Sequence, residues 1–334
     1  MKKTAVKLSL ISSLISPALM AQEKIPSNLL RIGDGSYYSE YAVVVDKDKR
    51  LTSVWQNANG KLQKVKEYVN DLGKASGDKK VEGDNKTPEG IYFFQSVLQG
   101  NQIPYEKYGV KALTTNYPNL FDEREGKTGY GIWLHAIPDT ESLVRGSEGC
   151  VVVRNKDIEE ISKLVKLDDS FFVVDDSLTY VSEDELVKKR SEIEDFLKTW
   201  RRAWSEKNID VYMAAYSDSF YSSKRNKKQW RAHKSRLNKY YKNIFVEFSD
   251  PVFVEVDDQI KVKMLQHYKS DVMDDYGEKT LYLEREETGL KIIAETFKRA
   301  DRKKAAEIIS IGSLLRDQNI SSMTDKLEKI GATE

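Results

Sequence analysis

Residues 129–155 read GYGIWLHAIPDTESLVRGSEGCVVVRN, two apolar runs joined by a polar loop. The first run ends at His135 and the second begins directly after Cys150. Runs of this length and composition predict strands, and the 14 residues between His135 and Cys150 are enough to join two neighbouring strands. Because residues at strand ends project into loops that a substrate can reach, we expect both side chains at one edge of a sheet.

Cys150 is the only cysteine of the 334 residues, so it cannot form a disulfide within the chain. A cysteine attacks as its thiolate, and a nearby imidazole can take the thiol proton and return it to a leaving amine. The other two histidines, His233 and His267, fall in a different predicted domain, which leaves His135 as the candidate base. The pair predicts cysteine acyl transfer, and a small buried apolar cysteine is the alternative.

The residues just before Cys150 suit a tight turn. Gly149 permits close approach of the backbone to a substrate, and the N–H groups of Gly149 and Cys150 could face a developing oxyanion. Ser147 and Glu148 are candidates to hydrogen-bond the imidazole or the substrate, and capping of the loop is the alternative for both.

Two arginines, Arg145 and Arg154, flank the cysteine. A guanidinium group binds carboxylates through two parallel hydrogen bonds, and its charge favours a thiolate nearby. We therefore treat both as candidates for substrate binding, with solvated surface arginines as the alternative.

Working outward, short apolar runs separated by Asp, Lys, Asn and Gly predict strands with tight turns. They are Tyr41–Asp46, Leu51–Asn57, Lys61–Val69, Gly90–Leu98, Gly129–His135, Val151–Val153 and Phe171–Val174. One short helix is predicted over Asp157–Lys166. Many short strands with little helix predict a mainly-β domain over residues 41–176, a β-sandwich or a barrel-like sheet with long loops.

A second domain is predicted after a polar linker at residues 177–185. Ser182 and Glu185 form a capping-box pattern ahead of an amphipathic helix. Its apolar positions recur at helical spacing and are Ile193, Leu197, Trp200 and Trp204. A helix near Ile209–Tyr216 and five strands follow, which indicates an α+β domain over residues 186–298, and residues 299–334 are predicted as a helical tail.

The N-terminus has the pattern of a secretory signal peptide. Lys2, Lys3 and Lys7 precede an apolar run, Leu8–Met20, that ends in small residues, so we expect residues 1–21 to be removed on export. That run is too short and too broken to span a bilayer, and no later run approaches the required length. The role of residues 22–40 stays open.

Composition restricts the partners. Lys plus Arg number 54 and Asp plus Glu 53, so no overall charge favours nucleic acid or a membrane as partner. Three dispersed histidines and one cysteine do not form a metal-ligand pattern, and no glycine-rich phosphate loop occurs. We expect no metal and no cofactor.

Residues 129–155 resemble the active-site signature of the L,D-transpeptidase catalytic-domain family, in which a histidine ends one strand and a Ser/Thr-x-Gly-Cys turn follows. His135, Ser147, Gly149 and Cys150 match that signature. A second stretch, GDNKTPEGIY at residues 83–92, is similar to the family's G-D-x-x-T-P-x-G-x-Y strand entry. The resemblance covers roughly residues 40–176.

Three positions depart from the usual family pattern. Glu148 stands where members usually have His, Ala136 where they usually have Gly, and Val152 where they have Arg. With TTNYPN at 114–119, the chain resembles the branch that contains the L,D-carboxypeptidases of helical bacteria, and Tyr117 joins the candidate substrate-binding residues. Members of that branch append a cone-shaped nuclear-transport-factor-two-like (NTF2-like) domain, which residues 186–298 resemble.

The resemblance implies an enzyme acting on peptidoglycan stem peptides. The signal-peptide pattern predicts a periplasmic location, where no nucleic acid partner is expected. Cys150 would attack the diaminopimelate carbonyl and release the terminal D-alanine, leaving a thioester. With water as the acyl acceptor, the enzyme would trim tetrapeptides to tripeptides. With an amine as the acceptor it would form cross-links. Formation or hydrolysis of wall-lipoprotein bonds is a further outcome. The resemblance is also compatible with a homodimer formed through residues 22–40, and the partner of the C-terminal domain stays unknown.

Two alternatives of another kind stay open. A non-catalytic wall-binding scaffold is favoured by Glu148 and Ala136, because both depart from the active-site pattern. The basic and aromatic segment 224–242 could bind an anionic wall polymer, but a solvated helix face with Trp230 turned inward is the simpler interpretation.

Overall fold

The structure is a computed structural model that describes residues 24–312 and 314–315. The predicted signal peptide, residues 1–21, lies outside the described residues, and so does the end of the predicted tail beyond residue 315. Among the helices of the described part, none combines the length and apolar character needed to cross a bilayer.

The first part of the chain is built mainly from strands. They are β1 (Ile25–Pro26), β2 (Tyr41–Asp46), β3 (Leu51–Ala58), β4 (Lys61–Val69), β5 (Gly90–Gln99), β6 (Lys111–Thr115), β7 (Trp133–Ile137), β8 (Val151–Arg154), β9 (Phe171–Asp175) and β10 (Tyr180–Val181). The helices are short: α1 (Tyr105–Tyr108), α2 (Leu120–Arg124) and α3 (Asn155–Leu164). The predicted mainly-β fold is confirmed.

Eight of these strands form one sheet in the order β4-β3-β2-β9-β5-β6-β7-β8. The pairs β2/β9 and β7/β8 are parallel and the remaining neighbours are antiparallel. The strand predicted over Gly129–His135 begins only at Trp133, because Gly129 and Gly131 adopt positive φ angles of 98° and 73°. Strand β6, which the sequence analysis did not predict, lies between β5 and β7.

The second part of the chain is α+β, as predicted. Its helices are α4 (Glu183–Ser205), α5 (Ile209–Ala214), α6 (Lys227–Tyr240) and α7 (Arg302–Ile311). Its strands are β11 (Tyr221–Ser222), β12 (Arg225–Asn226), β13 (Ile244–Phe248), β14 (Val252–Val256), β15 (Gln259–Ser270), β16 (Asp274–Glu286) and β17 (Gly289–Arg299). Strands β13, β15, β16 and β17 follow one another in a sheet in which β14 also pairs with β15.

Helix α4 starts with the predicted capping box. The Ser182 hydroxyl accepts a hydrogen bond from the Glu185 N–H at 3.3 Å, and the Glu185 carboxylate accepts from the Ser182 N–H at 2.9 Å. The apolar stripe of α4 that the spacing predicted, from Ile193 to Trp204, is buried. The helix begins at Glu183, so it occupies part of the segment predicted as a linker.

Both faces of the central strands of the eight-stranded sheet are buried, and this sets the relation between the two domains. Along the central strands, alternate side chains enter two different apolar clusters. Tyr92 and Phe94 lie in the cluster that α3 covers. Phe93 lies in the other cluster, together with Trp200 of α4 and Val254 of β14. The second domain therefore forms the second layer of the first domain's sheet.

Residues 24–40 connect the two layers. Strand β1 pairs with β10, and Arg31 forms a β-bridge with Phe253 of the second domain. The Asn28 amide donates to Asp175 Oδ2 at 2.8 Å and to the Glu255 carbonyl oxygen at 2.9 Å, so one side chain joins β9 to β14. The segment whose role the sequence left open is part of the interdomain core.

Truncating the interdomain core should destabilise the whole chain. Phe93→Ala removes a buried ring that lies 5.1 Å from the Phe171 ring and under the Lys261 ammonium, so the free energy of unfolding should fall by about 3 to 5 kcal/mol. Phe297→Ala, a partly exposed phenylalanine, is the control and should cost below about 1 kcal/mol. Urea unfolding measures both, and equal losses would contradict this packing.

Candidate active site

His135 lies on β7, and Cys150 directly precedes β8, the adjacent parallel strand. Strand β7 pairs with β8 so that Leu134 faces Val151 and His135 faces Val152. Cys150, the residue before β8, is therefore level with Trp133. Because side chains alternate along a strand, His135 and Cys150 share the face opposite the α3 cluster. One expectation is corrected: His135 does not end its strand but is the middle residue of β7, which continues to Ile137.

His135 is buried and oriented by its own backbone neighbour. Its Nδ1 lies 2.6 Å from the Ala136 carbonyl oxygen, so Nδ1 carries the proton and Nε2 is left to accept one. The Tyr108 ring meets the imidazole edge-on at 5.0 Å. Burial lowers the pKa of His135 to about 4, with the positive charge of Arg145 acting in the same direction. The imidazole is neutral at physiological pH and can act as a base.

Cys150 is half-buried, and its sulfur lies 3.4 Å from the Gly131 carbonyl oxygen. Although part of the residue reaches solvent, burial of the sulfur raises the pKa of Cys150 to about 11. The Trp133 N–H and the Lys79 ammonium oppose this rise, and Glu148 adds to it. The resting site thus holds a neutral thiol and a neutral imidazole.

Ser147 ties the turn that carries the cysteine. Its hydroxyl donates to the Cys150 carbonyl oxygen at 2.7 Å and accepts from the Gly149 N–H at 3.0 Å. The Gly149 N–H is therefore occupied within the turn, which corrects the expectation that it faces an oxyanion. The Cys150 N–H remains the candidate donor, and Ser147 has a structural part in the turn.

Gly149 is required by its surroundings. Its φ is +128°, and a Cβ at this position would lie 2.7 Å from the Lys86 carbonyl oxygen and 2.9 Å from Ile132 Cδ1. Any side chain would therefore push the turn away from residues 83–92.

The GDNKTPEGIY stretch, residues 83–92, packs behind this turn. The Asp84 carboxylate accepts hydrogen bonds from Lys79 Nζ and from the N–H groups of Lys80, Val81 and Lys86, which hold the pKa of Asp84 well below its usual range. Thr87 Oγ1 accepts from the Gly73 N–H at 2.9 Å. The loop is thereby fixed with its Lys86 carbonyl group against Gly149.

The other candidate residues are placed differently. Arg145 and Glu148 are exposed beside the His135–Cys150 pair. Arg154 Nη1 donates to the Glu141 carbonyl oxygen at 2.6 Å and so braces the loop after β7. Tyr117 is a correction: it is only 5% exposed, packs on Tyr92 and donates to the Thr128 carbonyl oxygen at 3.1 Å, which makes it a core residue.

Three residues near the site were missed by sequence reasoning: Tyr108, Lys79 and Asp71. Tyr108 contacts His135 and Trp133, Lys79 acts on Cys150 electrostatically, and Asp71 pairs with the loop before Cys150. Each comes from a segment distant in sequence, and the residues carry no local motif that would have identified them.

The basic segment of the second domain lies mostly on α6. Trp230 is turned inward, as the simpler interpretation expected. Lys234 is also buried, with its ammonium 3.7 Å from the Trp204 ring centre, and burial lowers the pKa of Lys234 to about 7. Nearby, Lys279 Nζ pairs with Glu295 at 2.7 Å. The domain therefore has a polar interior lined by aromatic rings.

Comparison with known proteins gives two family matches. Residues 40–175 match the L,D-transpeptidase catalytic domain (YkuD), and residues 192–296 match the Cds6 C-terminal NTF2-like domain. "Putative L,D-transpeptidase YafK" of Escherichia coli K12 is 27% identical over 124 residues, which are 37% of this chain and 46% of that protein. The chain thus spans about half the length of the curated relatives it matches.

Two solved structures resemble the chain across both domains. Bd1075 of Bdellovibrio bacteriovorus is 43% identical, with a TM-score of 0.78 and coverage of 84% of this chain and 100% of that one. The helical cell shape determining protein Pgp2 of Campylobacter jejuni is 27% identical, with a TM-score of 0.63 and coverage of 78% and 93%.

Adding one methyl group at the turn should be costly. Gly149→Ala combines a left-handed φ with a clash against the Lys86 carbonyl group, so we expect the free energy of unfolding to fall by about 2 to 4 kcal/mol. Gly60→Ala is the control, since Gly60 has a φ of +87° but nothing within 4 Å of the added Cβ, and it should cost about 1 kcal/mol. Urea denaturation gives both values; a tolerated Gly149→Ala would refute the close contact.

Proposed function

We propose that this chain, which belongs to the L,D-transpeptidase catalytic-domain family, is a periplasmic enzyme. It transfers the acyl group of peptidoglycan stem peptides to Cys150. The observation that carries the proposal is the face that His135 of β7 shares with Cys150, the residue before β8, with His135 Nε2 left to accept a proton. The bond attacked is the one between diaminopimelate and the terminal D-alanine.

The neutral Cys150 thiol and the neutral His135 imidazole fit a mechanism in which the proton moves only as the substrate is attacked. As Cys150 Sγ approaches the diaminopimelate carbonyl carbon, its proton passes to His135 Nε2 and a carbon–sulfur bond forms. The Trp133 N–H stabilises charge on the sulfur, and the Cys150 N–H is the candidate donor to the oxyanion. Collapse breaks the amide bond, and the imidazolium returns its proton to the departing D-alanine amine, leaving a thioester.

Water is the proposed acceptor, which makes the enzyme an L,D-carboxypeptidase that trims tetrapeptides to tripeptides. Glu148 supports this choice, because it places an exposed carboxylate beside the thioester where the family usually has histidine. A carboxylate can hold a water molecule by hydrogen bonding, and it favours the ammonium form of an incoming amine, which is not nucleophilic. Similarity over both domains to Pgp2, whose name refers to helical cell shape, supports a role in cell shape.

Arg145 is the proposed anchor for a substrate carboxylate. It is exposed beside the catalytic pair, and its positive charge contributes to the lowered pKa of His135. A guanidinium at this position can bind the carboxylate of the terminal D-alanine and so align the bond to be broken.

Removing either catalytic group should abolish turnover. We expect Cys150→Ala to release no D-alanine from purified disaccharide tetrapeptide, and His135→Ala to slow release at least about 100-fold, because the proton then lacks its acceptor. His233→Ala, a histidine on α6, is the control and should keep the wild-type rate. Release is followed by coupled detection of D-alanine, with thermal melting to check folding.

The outcome separates three functions. D-alanine release by Cys150→Ala would overturn the mechanism. Cross-linked products from the wild type would identify an amine acceptor and so a transpeptidase. No product from a folded wild type that still sediments with sacculi would favour the wall-binding scaffold.

A further inference from the structure

The loop between β7 and β8 ends at Cys150, and most of its residues between 139 and 148 are exposed. Few side chains fix it. The Asp71 carboxylate is one of them: Oδ2 accepts from the Gly146 N–H at 2.7 Å, and Oδ1 accepts from the Leu72 N–H at 2.9 Å and from the Arg50 guanidinium. Asp71 itself is only 1% exposed.

The backbone of Asp71 binds the chain that follows Cys150. The Asp71 N–H donates to the Val152 carbonyl oxygen and the Val152 N–H donates to the Asp71 carbonyl oxygen, both at 2.8 Å. The next residue continues the pairing, because the Ser147 N–H donates to the Leu72 carbonyl oxygen at 2.7 Å. Residues 71 and 72 therefore bind the chain on both sides of Cys150.

Arg50 extends this contact to the middle of the loop. Its Nη2 atom donates to the Leu143 carbonyl oxygen at 3.0 Å while it also pairs with Asp71. The guanidinium is partly exposed, and the carboxylate is buried. One ion pair thus connects the β2–β3 turn, the segment after β4 and the loop that carries the nucleophile.

We propose that Asp71, held by Arg50, is a positioning residue for Cys150: it sets the distance and orientation of the sulfur relative to His135. This role rests on the proposed function, in which Cys150 passes its proton to His135. A carboxylate suits the position because all three of its partners are donors. An amide would turn an NH₂ group toward one of them and lose that contact.

Loosening the loop should affect catalysis and thiol reactivity in opposite directions. Turnover should fall, because a sulfur displaced by about 1 Å no longer transfers its proton efficiently. Alkylation should become easier at a given pH, because burial is what raises the pKa of Cys150 to about 11, and a solvated sulfur ionises at lower pH.

The test is Asp71→Asn in the full-length protein, compared with Lys49→Gln as control. Lys49 lies in the same turn as Arg50 and pairs with Asp46, without contact to the loop. We expect Asp71→Asn to lower kcat for D-alanine release about 10- to 100-fold, with KM within about three-fold of wild type. The pH midpoint of iodoacetamide labelling should lie at least one unit below that of the wild type, in which burial raises the pKa of Cys150. Mass spectrometry reads labelling at a single site, because the chain has one cysteine.

A purely structural role predicts a different result. Asp71→Asn would then melt earlier but keep the wild-type kcat and labelling midpoint well below its melting temperature, and that result would overturn the proposal. If Asp71→Asn does not fold, Arg50→Gln tests the same contact from its exposed partner and should shift both readouts in the same directions. If the wild type releases no D-alanine, the proposed function fails, and the labelling midpoint alone still decides whether Asp71 holds the sulfur.

Discussion

The apolar contact between the eight-stranded sheet and the second domain determines much of the structure. Phe93 enters a cluster that Trp200 and Val254 complete from the other domain, so neither layer can bury its apolar face alone. This explains why the central strands are apolar on both faces. It also explains the position of residues 24–40, which occupy the seam and satisfy polar groups such as the Asp175 carboxylate. The sheet edge with His135 and Cys150 is thereby fixed relative to the second domain.

At that edge, close packing and hydrogen bonds set the turn before Cys150. Gly149 lies against the Lys86 carbonyl group, Ser147 bridges the turn, and Asp71 holds its flanks. These contacts enclose the sulfur and the imidazole, and burial keeps both neutral. In the proposed mechanism, such a site carries no permanent thiolate and forms charge only when a substrate carbonyl group is present.

The sequence predicted those parts of the fold that depend on local pattern. Strands β2, β13 and β14 are apolar runs bounded by turn residues, and the capping box marks the start of α4. The His135–Cys150 pair could be predicted from the sequence because both residues flank apolar runs. Contacts between distant segments could not be predicted in this way. The contacts of Tyr108 with His135 and of Asp71 with Gly146 depend on the sheet order. Tyr117 was misassigned because a tyrosine in a polar loop carries no signal that it is buried.

The central claim is that Cys150 trims stem peptides by hydrolysis, and muropeptide analysis of sacculi incubated with the purified protein tests it most directly. Chromatography with mass spectrometry should show tetrapeptides converted to tripeptides by the wild type, with no change for Cys150→Ala. A muropeptide profile that gains cross-links in place of tripeptides, or that does not change with folded wild-type protein, would contradict the account.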